Sequence, residues 1–378
     1  MIEKNNSENN NIKKRKKETL DVDNNKKKKK GDTEGTENTD LQLSVLGYSN
    51  EDIEKISNKQ GSDKTIKELI DNTENLKRMG YQLSDIVKTA ARRSAANNIK
   101  GMVTYTEALL KLEYDMSDIV KIAGNNGASK TLGKLITHHV KLKELSFNAE
   151  AIVKIAANDG GSKTLDAIIT HHEKLNELGF NAEAIVKIAG NGGGSKTLDA
   201  IITHHEKLNE LGFAAEAIVK IAANGGGSKT LDTVIMHHDK LNELGFAAEA
   251  IVKIAGNGGG SKNLDAVIMH HEKLNELGFA AEAIVKIAGN GGGSKNIDAV
   301  ITNYPSLIEL GYKVEDIVRL LSTNHGNSEF INTIVNNKVN NSIFNSNISF
   351  FSNSKNTRDK NTSPVEQENL DISKKNSY

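Results

Sequence analysis

The sequence predicts an all-α fold, in which two-helix repeats stack into a solenoid between two disordered tails. Aromatic residues recur at intervals of 33 along most of the chain, from Tyr48 to Tyr312. Each interval holds two apolar patterns of helical spacing, separated by a glycine-rich turn. A fixed period of this length is typical of solenoids, in which neighbouring units bury one another's apolar faces.

Composition excludes several classes of protein. The 378 residues include no Cys and no Trp, and aromatic residues make up only 4%, too few for large globular cores. Without cysteine there can be no disulfide framework, thiol nucleophile or thiolate metal site. No apolar run approaches the ~20 residues of a membrane span, and the N-terminus lacks the apolar stretch of a signal peptide. We therefore expect a soluble chain with no membrane association.

Residues 1–40 and 345–378 are poor in apolar side chains, so we expect both tails to be disordered. The N-terminal tail carries two basic clusters, Lys13, Lys14, Arg15, Lys16, Lys17 and Lys26, Lys27, Lys28, Lys29, Lys30. Their spacing is similar to that of a bipartite nuclear localisation signal, which binds an acidic groove of an import receptor. A solvated lysine tail or a nonspecific phosphate-binding arm is the alternative.

Nine repeats lie between the tails. Their first residues, called position 1, are Tyr48, Tyr81, Tyr114, Phe147, Phe180, Phe213, Phe246, Phe279 and Tyr312. We number the repeats 1 to 9 in chain order. Residues 41–113 hold divergent N-terminal capping repeats, residues 114–311 hold six close copies, and residues 312–344 form a divergent C-terminal capping repeat.

Repeat 4, residues 147–179, shows the pattern of one unit. The apolar face of a short first helix consists of Ile152, Val153, Ile155 and Ala156. The turn at 158–161 ends this helix. We expect the second helix to begin at Ser162 as its N-cap, with Asp166 in its first turn, and to stop at Gly179.

Positions 12 and 13 lie in the turn and vary differently among the close copies. Position 12 is always Asn, namely Asn125, Asn158, Asn191, Asn224, Asn257 and Asn290. Position 13 varies within a nearly fixed frame, as Asn126, Asp159, Gly192, Gly225, Gly258 and Gly291. Asn and Gly also suit a simple turn, so a purely structural explanation is the alternative. Variation at position 13, between an Asn and a Gly that are the same in all six copies, favours a recognition role.

The segment I-V-K-I-A-[AG]-N-x-G-G at 152–161 and its copies, together with the period, resembles the DNA-binding repeats of transcription activator-like effectors. The resemblance is strongest to the compact effector-like proteins of bacterial symbionts, and it covers roughly residues 48–340. It implies a right-handed superhelix along the DNA major groove, with one inter-helix turn facing each base. It also implies that Asn at position 12 folds back onto the backbone of the first helix.

The resemblance assigns a base to each repeat through position 13, and the chemistry of that position agrees with the assignment. A carboxylate accepts from the cytosine N4 amine, an Asn amide donates to purine N7, and glycine leaves room for the thymine methyl group. Asn126 is therefore expected to favour guanine or adenine, Asp159 cytosine, and the four glycines thymine. The predicted strand is 5′-(G/A)CTTTT.

Phosphate contacts are expected to supply most of the affinity. The main candidates are the lysines at position 17, beside backbone N–H groups at the start of the second helix: Lys130, Lys163, Lys196, Lys229, Lys262 and Lys295. In the family that the repeats resemble, this lysine sits one position earlier, where this chain has Ser. Lysines at position 8 form a second stripe. Arg92 and Arg93, at positions 12 and 13 of repeat 2, are further candidates to contact phosphate or to favour guanine.

Two features depart from the pattern of a DNA-binding repeat. The close copies carry 19 Lys and 23 acidic residues, a net charge of −4, whereas DNA-binding domains are usually basic. This objection is reduced if the acids of the second helix face away from the lysines. Only Pro305 matches the proline that the family places at position 27, so the superhelical pitch is left open.

Two other patterns are weaker candidates for chemistry. Ten of the eleven histidines form adjacent pairs at positions 25 and 26, and adjacent helical residues diverge by about 100°, which favours a packing or surface role over metal binding. The segment 190–197 nearly matches a phosphate-binding P-loop, but Ser195 replaces the required glycine. We expect no enzyme activity, no cofactor and no metal.

The sequence thus predicts a monomeric, non-enzymatic protein that binds double-stranded DNA with a sequence bias. As a secreted bacterial effector it would act on host DNA or transcription in the host nucleus, with a nuclear import receptor as a further partner; otherwise it would be cytoplasmic and DNA-associated. The alternative is a helical-repeat scaffold for protein–protein interaction. A six-base site occurs about once in ~4,000 base pairs, which favours broad or architectural binding over a single-gene address.

Overall fold

The computed structural model describes residues 33–322 and 328–337. Within these ranges every regular element is a helix, and no helix is both long and apolar enough to cross a membrane. The two basic clusters and residues 345–378 lie outside the described residues. A helix at Thr33–Val45 precedes the first repeat and crosses the boundary expected at residue 40.

Each repeat consists of a short helix followed by a long one. The short helices are Asn50–Ser57, Leu83–Ala90, Met116–Ala123, Ala149–Ala156, Ala182–Ala189, Ala215–Ala222, Ala248–Ala255, Ala281–Ala288 and Val314–Ser322. The long helices are Ser62–Arg78, Ala95–Lys111, Ala128–Glu144, Gly161–Glu177, Gly194–Glu210, Gly227–Glu243, Gly260–Glu276, Gly293–Glu309 and 328–337.

Successive repeats stack side by side and share one continuous core. Each long helix packs on the long helix of the next repeat, and the short helices form a second row beside them. The position 1 aromatics of repeats 1 to 8 are at most 3% exposed, from Tyr48 to Phe279. The apolar residues expected to form the inner face of the first helix of repeat 4 are buried. The predicted all-α repeat solenoid is confirmed.

The start of the second helix differs from the expectation. In repeat 4 the helix begins at Gly161, the N-cap is Gly160, and Ser162 makes no capping hydrogen bond. Gly160 has a φ of +83°, in the left-handed region, where glycine is favoured and Ser is not. Asp166 lies beyond the first turn of the helix and interacts with the preceding repeat.

The long helices end as expected, with a left-handed residue at position 33. Gly179 adopts a φ of +88°, just after the last residues of its helix. Repeats 2 and 3 place Glu113 and Ser146 at this position, with φ of 66° and 68°. These two residues adopt a left-handed backbone conformation, which destabilises the fold by about 1–2 kcal/mol for residues other than glycine.

The histidine at position 26 packs inside its own repeat. In repeat 4, the ring of His172 meets Phe147 edge-on, with the ring centroids 5.9 Å apart. Burial, with a further contribution from Lys141, lowers the pKa of His172. In repeats 1 and 2 a hydrogen bond between Tyr at position 1 and Thr at position 26 replaces this contact between rings. Tyr48 and Thr73, for example, are hydrogen-bonded at 2.7 Å. Position 26 is therefore a packing partner of position 1.

The histidine at position 25 contacts Asp at position 20 of the next repeat. His138 Nε2 lies 2.7 Å from Asp166 Oδ1, and Lys134 Nζ lies 2.9 Å from the same oxygen. Equivalent pairs follow at 3.3 to 3.9 Å: His171 with Asp199, His204 with Asp232, His237 with Asp265 and His270 with Asp298. In the described parts of the chain, no cluster of three or more His, Asp or Glu side chains forms a metal site. The histidine pairs thus serve packing within repeats and contacts between them.

Candidate nucleic-acid interface

The inter-helix turn has the same backbone form in all six close copies. The first helix ends at position 10, the long helix begins at position 15, and position 14 is a glycine with φ between +73° and +89°. At position 15 of repeat 5, a Cβ on Gly194 would lie 2.6 Å from the carbonyl oxygen of Ala189. Repeat 3 has Ala128 there. The backbone therefore requires glycine at position 14, and space favours it at position 15 in the later copies.

Position 13 carries no such requirement. All six of its residues are exposed. A Cβ added to Gly192, Gly225, Gly258 or Gly291 would meet no atom within 4 Å, and none of these glycines has a left-handed φ. Asn126 and Asp159 occupy the same place in the same turn. The fold therefore does not explain why glycine stands at this position in four of the six copies.

Asn at position 12 folds back onto the first helix and also reaches the next repeat. Asn158 Nδ2 donates to the carbonyl of Lys154 at 2.7 Å and to the carbonyl of Gly190 in repeat 5 at 2.9 Å. Asn191, Asn224 and Asn257 make the same two bonds, Asn125 makes only the first, and Asn290 donates to the carbonyl of Leu321 in repeat 9. The resemblance implied the first bond; the second, which ties consecutive turns together, was not foreseen.

The first two side chains at position 13 contact each other. Asp159 Oδ1 accepts from the backbone N–H of Asn126 at 3.0 Å and from its Nδ2 at 3.3 Å. Asp159 Oδ2 accepts from the same Nδ2 at 3.3 Å. Sequence reasoning assigned these residues to separate bases and missed this contact, although side chains at the same position of stacked repeats are natural neighbours.

The lysines at position 17 are exposed, and within the described residues none of the six forms an ion pair. In repeat 4 the backbone amides beside the lysine are less available than expected. The amide of Gly161 donates to the carbonyl of Asn158 at 2.9 Å, and the amide of Ser162 donates to Thr131 Oγ1 at 3.2 Å. Attraction of a phosphate to this edge of the turn therefore depends mainly on the lysine charge.

Lysines at position 8 are partly neutralised. Lys187 pairs with Glu183 at 2.7 Å on the same short helix, and Lys220 pairs with Glu216 at 2.9 Å. The hydrogen bond from Lys187, with its charge, lowers the pKa of Glu183. These lysines are therefore weaker candidates for phosphate contacts than the position 17 set.

The divergent N-terminal repeats add cations to one end of the array. Arg92 lines an open groove between short helices, together with Lys88, Lys121 and Lys154. Arg93, at position 13 of repeat 2, is exposed. A groove with four cations is suited to a phosphate backbone, although Asp118 and Glu150 also line it.

The acidic residues behind the negative net charge of the close copies lie mostly on the helices and not in the turns. Many acidic residues of the long helices lie in ion pairs on those helices or with neighbours, such as Glu177 with Lys174 at 3.2 Å and Asp166 with Lys134. The position 17 lysines stay unpaired among the described residues. The segment 190–197 spans the turn and the start of a long helix, and the helix Ala182–Ala189 precedes it in place of the β-strand that a P-loop follows.

No known protein family matches the chain, and no curated protein matches it. The assignment of function therefore depends on the geometry of the turns and on the resemblance carried by their residues.

Proposed function

We propose that the chain binds double-stranded DNA with a sequence bias, reading about one base per repeat in the major groove through position 13. The predicted site is 5′-(G/A)CTTTT, read by Asn126, Asp159 and the four glycines in chain order. Binding through exposed turns of a stacked array needs no enzyme site and no cofactor.

One observation carries this proposal. Position 13 is exposed in every close copy and has open space around its four glycines, whose presence is not dictated by φ, whereas glycine at position 14 is. A purely structural turn would account for position 14 and, through the contact of Asn126 with Asp159, for two residues at position 13, but it gives no reason for glycine in the other four copies. The three residue types at position 13 are ones that can distinguish a purine, cytosine and thymine in the major groove.

The supporting features concern affinity. The lysines at position 17 are unpaired among the described residues and recur once per repeat, near position 13. This spacing matches a DNA backbone that presents one phosphate per nucleotide. Asn at position 12 ties successive turns to each other. We propose, on the resemblance alone, that the protein acts as a bacterial effector in a host nucleus.

The test is binding of the full-length protein to a duplex containing 5′-GCTTTT and to a scrambled duplex of equal composition, across a salt titration. Tighter binding to the designed duplex is expected, with a log–log salt slope of about −5 for six lysine–phosphate contacts. Equal binding to both would replace base reading with nonspecific DNA binding. Absence of binding to either would direct the search to protein partners, as expected of a helical-repeat scaffold.

A further inference from the structure

The junction between repeats 3 and 4 is made differently from the later ones. From repeat 4 onward, Asn at position 12 donates to a carbonyl of the next repeat. Asn125 donates within its own short helix, to the carbonyls of Lys121 and Ile122. The turns of repeats 3 and 4 are joined instead through position 13, by Asn126 and Asp159.

The three hydrogen bonds leave binding capacity on both side chains. Asp159 Oδ1 accepts two of them, at 3.0 and 3.3 Å, and Oδ2 accepts one at 3.3 Å. A carboxylate offers about four acceptor sites, so Oδ2 keeps one for an incoming donor. The two contacts of Asn126 Nδ2 are equally long and go to the two oxygens of one carboxylate, so one N–H shared between them makes both. The second N–H of the amide is then left for an incoming acceptor.

We propose that Asn126 is a positioning residue for Asp159, and that these two turns read two adjacent base pairs as one preorganised unit. The inference rests on the base-reading function proposed above. Asp159 accepts the cytosine N4 amine through Oδ2 while it stays bonded to Asn126, and Asn126 donates its second N–H to purine N7. Cytosine selection by repeat 4 is then determined by two residues from two repeats.

The positioning role has a physical basis: the Asp159 side chain is restricted to one geometry before DNA binds. Among the described residues, the hydrogen bonds to the Asp159 carboxylate all come from Asn126. A carboxylate without them would sample other rotamers, most of which cannot accept from the base. A group held in its binding geometry loses less entropy on binding, which strengthens and sharpens recognition.

Removing the amide tests the coupling. In the full-length protein, Asn126→Gly deletes both side-chain bonds and keeps the backbone donor. The dissociation constants are measured for duplexes with cytosine or thymine at the second base, each with guanine or thymine at the first. We expect the cytosine-to-thymine preference to fall about 3- to 10-fold, which lies within the range for contacting residues, with thermal unfolding unchanged.

The outcomes separate the two proposals. An unchanged or increased cytosine preference in Asn126→Gly overturns the positioning role and leaves base reading intact. If the unmodified protein itself binds the cytosine and thymine duplexes equally, base reading by Asp159 fails, and the coupling fails with it. A loss of affinity that is equal for all four duplexes also overturns the positioning role.

A transplanted pair provides the matched gain-of-function test. Gly225 and Gly258 are neighbouring positions with open space for a side chain. We expect Gly225→Asn with Gly258→Asp to select cytosine at the fifth base about 3- to 10-fold more strongly than Gly258→Asp with Gly225→Ala. The alanine control adds a Cβ without the amide. Equal selection by the two double variants refutes the inference.

Discussion

Replacing Gly225 by Asp is expected to change the base preference of repeat 6 and leave the stability of the fold unchanged. A Cβ there meets no atom within 4 Å, and the φ of Gly225 lies outside the left-handed region. An exposed substitution of this kind changes the free energy of unfolding by less than about 0.5 kcal/mol. A carboxylate hydrogen bond to the cytosine amine contributes about 1–2 kcal/mol. The preference for cytosine over thymine at the fourth base should therefore rise about 5- to 30-fold.

The next residue provides the control. Gly226 also has open space around it but has a φ of +89°, so Gly226→Asp should lower the free energy of unfolding by about 1–2 kcal/mol and leave the fourth base as thymine. Competition binding with the four bases in turn at the fourth site measures preference, and urea unfolding followed by circular dichroism measures stability. Equal destabilisation by both variants would refute the argument that the fold does not restrict position 13. A thymine preference that survives in Gly225→Asp would refute base reading by that position.

Three further outcomes follow from contacts described above. Ser146→Gly should raise the free energy of unfolding by about 0.5–1 kcal/mol by relieving a left-handed φ, and the reverse change Gly179→Ser should lower it, as urea midpoints would show. Lys196→Ala should weaken DNA binding equally for all sequences and reduce the salt slope by about 1, whereas Lys207→Ala, whose lysine pairs with Glu210 on a long helix, should leave the slope unchanged. Burial lowers the pKa of His172, so the folded state binds a proton on this ring less readily than the unfolded state does. The contribution of the neutral ring to the free energy of unfolding should therefore be complete above about pH 6.5 and decrease at lower pH. His172→Gln should reduce that decrease, as urea unfolding at pH 7 and pH 5 would show.

Local signals accounted for most of the fold. The 33-residue period placed the aromatic core residues, and helical spacing of apolar residues placed both helices of every close copy. Gly179 marked the end of a long helix because a left-handed residue has a strong sequence preference. The start of that helix was misplaced at Ser162. The turn needs a left-handed residue as the N-cap, and this need, which Gly160 meets, outweighs the usual preference for Ser at an N-cap.

Contacts between repeats could not be predicted from one unit. Asp166 was assigned to the dipole of its own helix, but its partner His138 lies 28 residues earlier, in another repeat. The signal was present in the array: Asp at position 20 is missing in repeat 3, where Gly133 stands, and the preceding repeat has Tyr105 in place of the histidine. A Cβ on Gly133 would lie 3.3 Å from the Tyr105 ring. Comparing successive units, rather than single helices, would have found this pairing.

The bonds between neighbouring units come from positions that are the same in nearly every close copy, and this bears on how the array can change length. Without residues 180–212, Asn158 would face the carbonyl of Ala223, the partner that Asn191 has now, and His171 would face Asp232, the partner of His204. Loss or duplication of a whole unit by recombination would therefore recreate the same joints. The number of turns presented to a partner can vary in steps of one, while the residues that hold the array together need no compensating substitution.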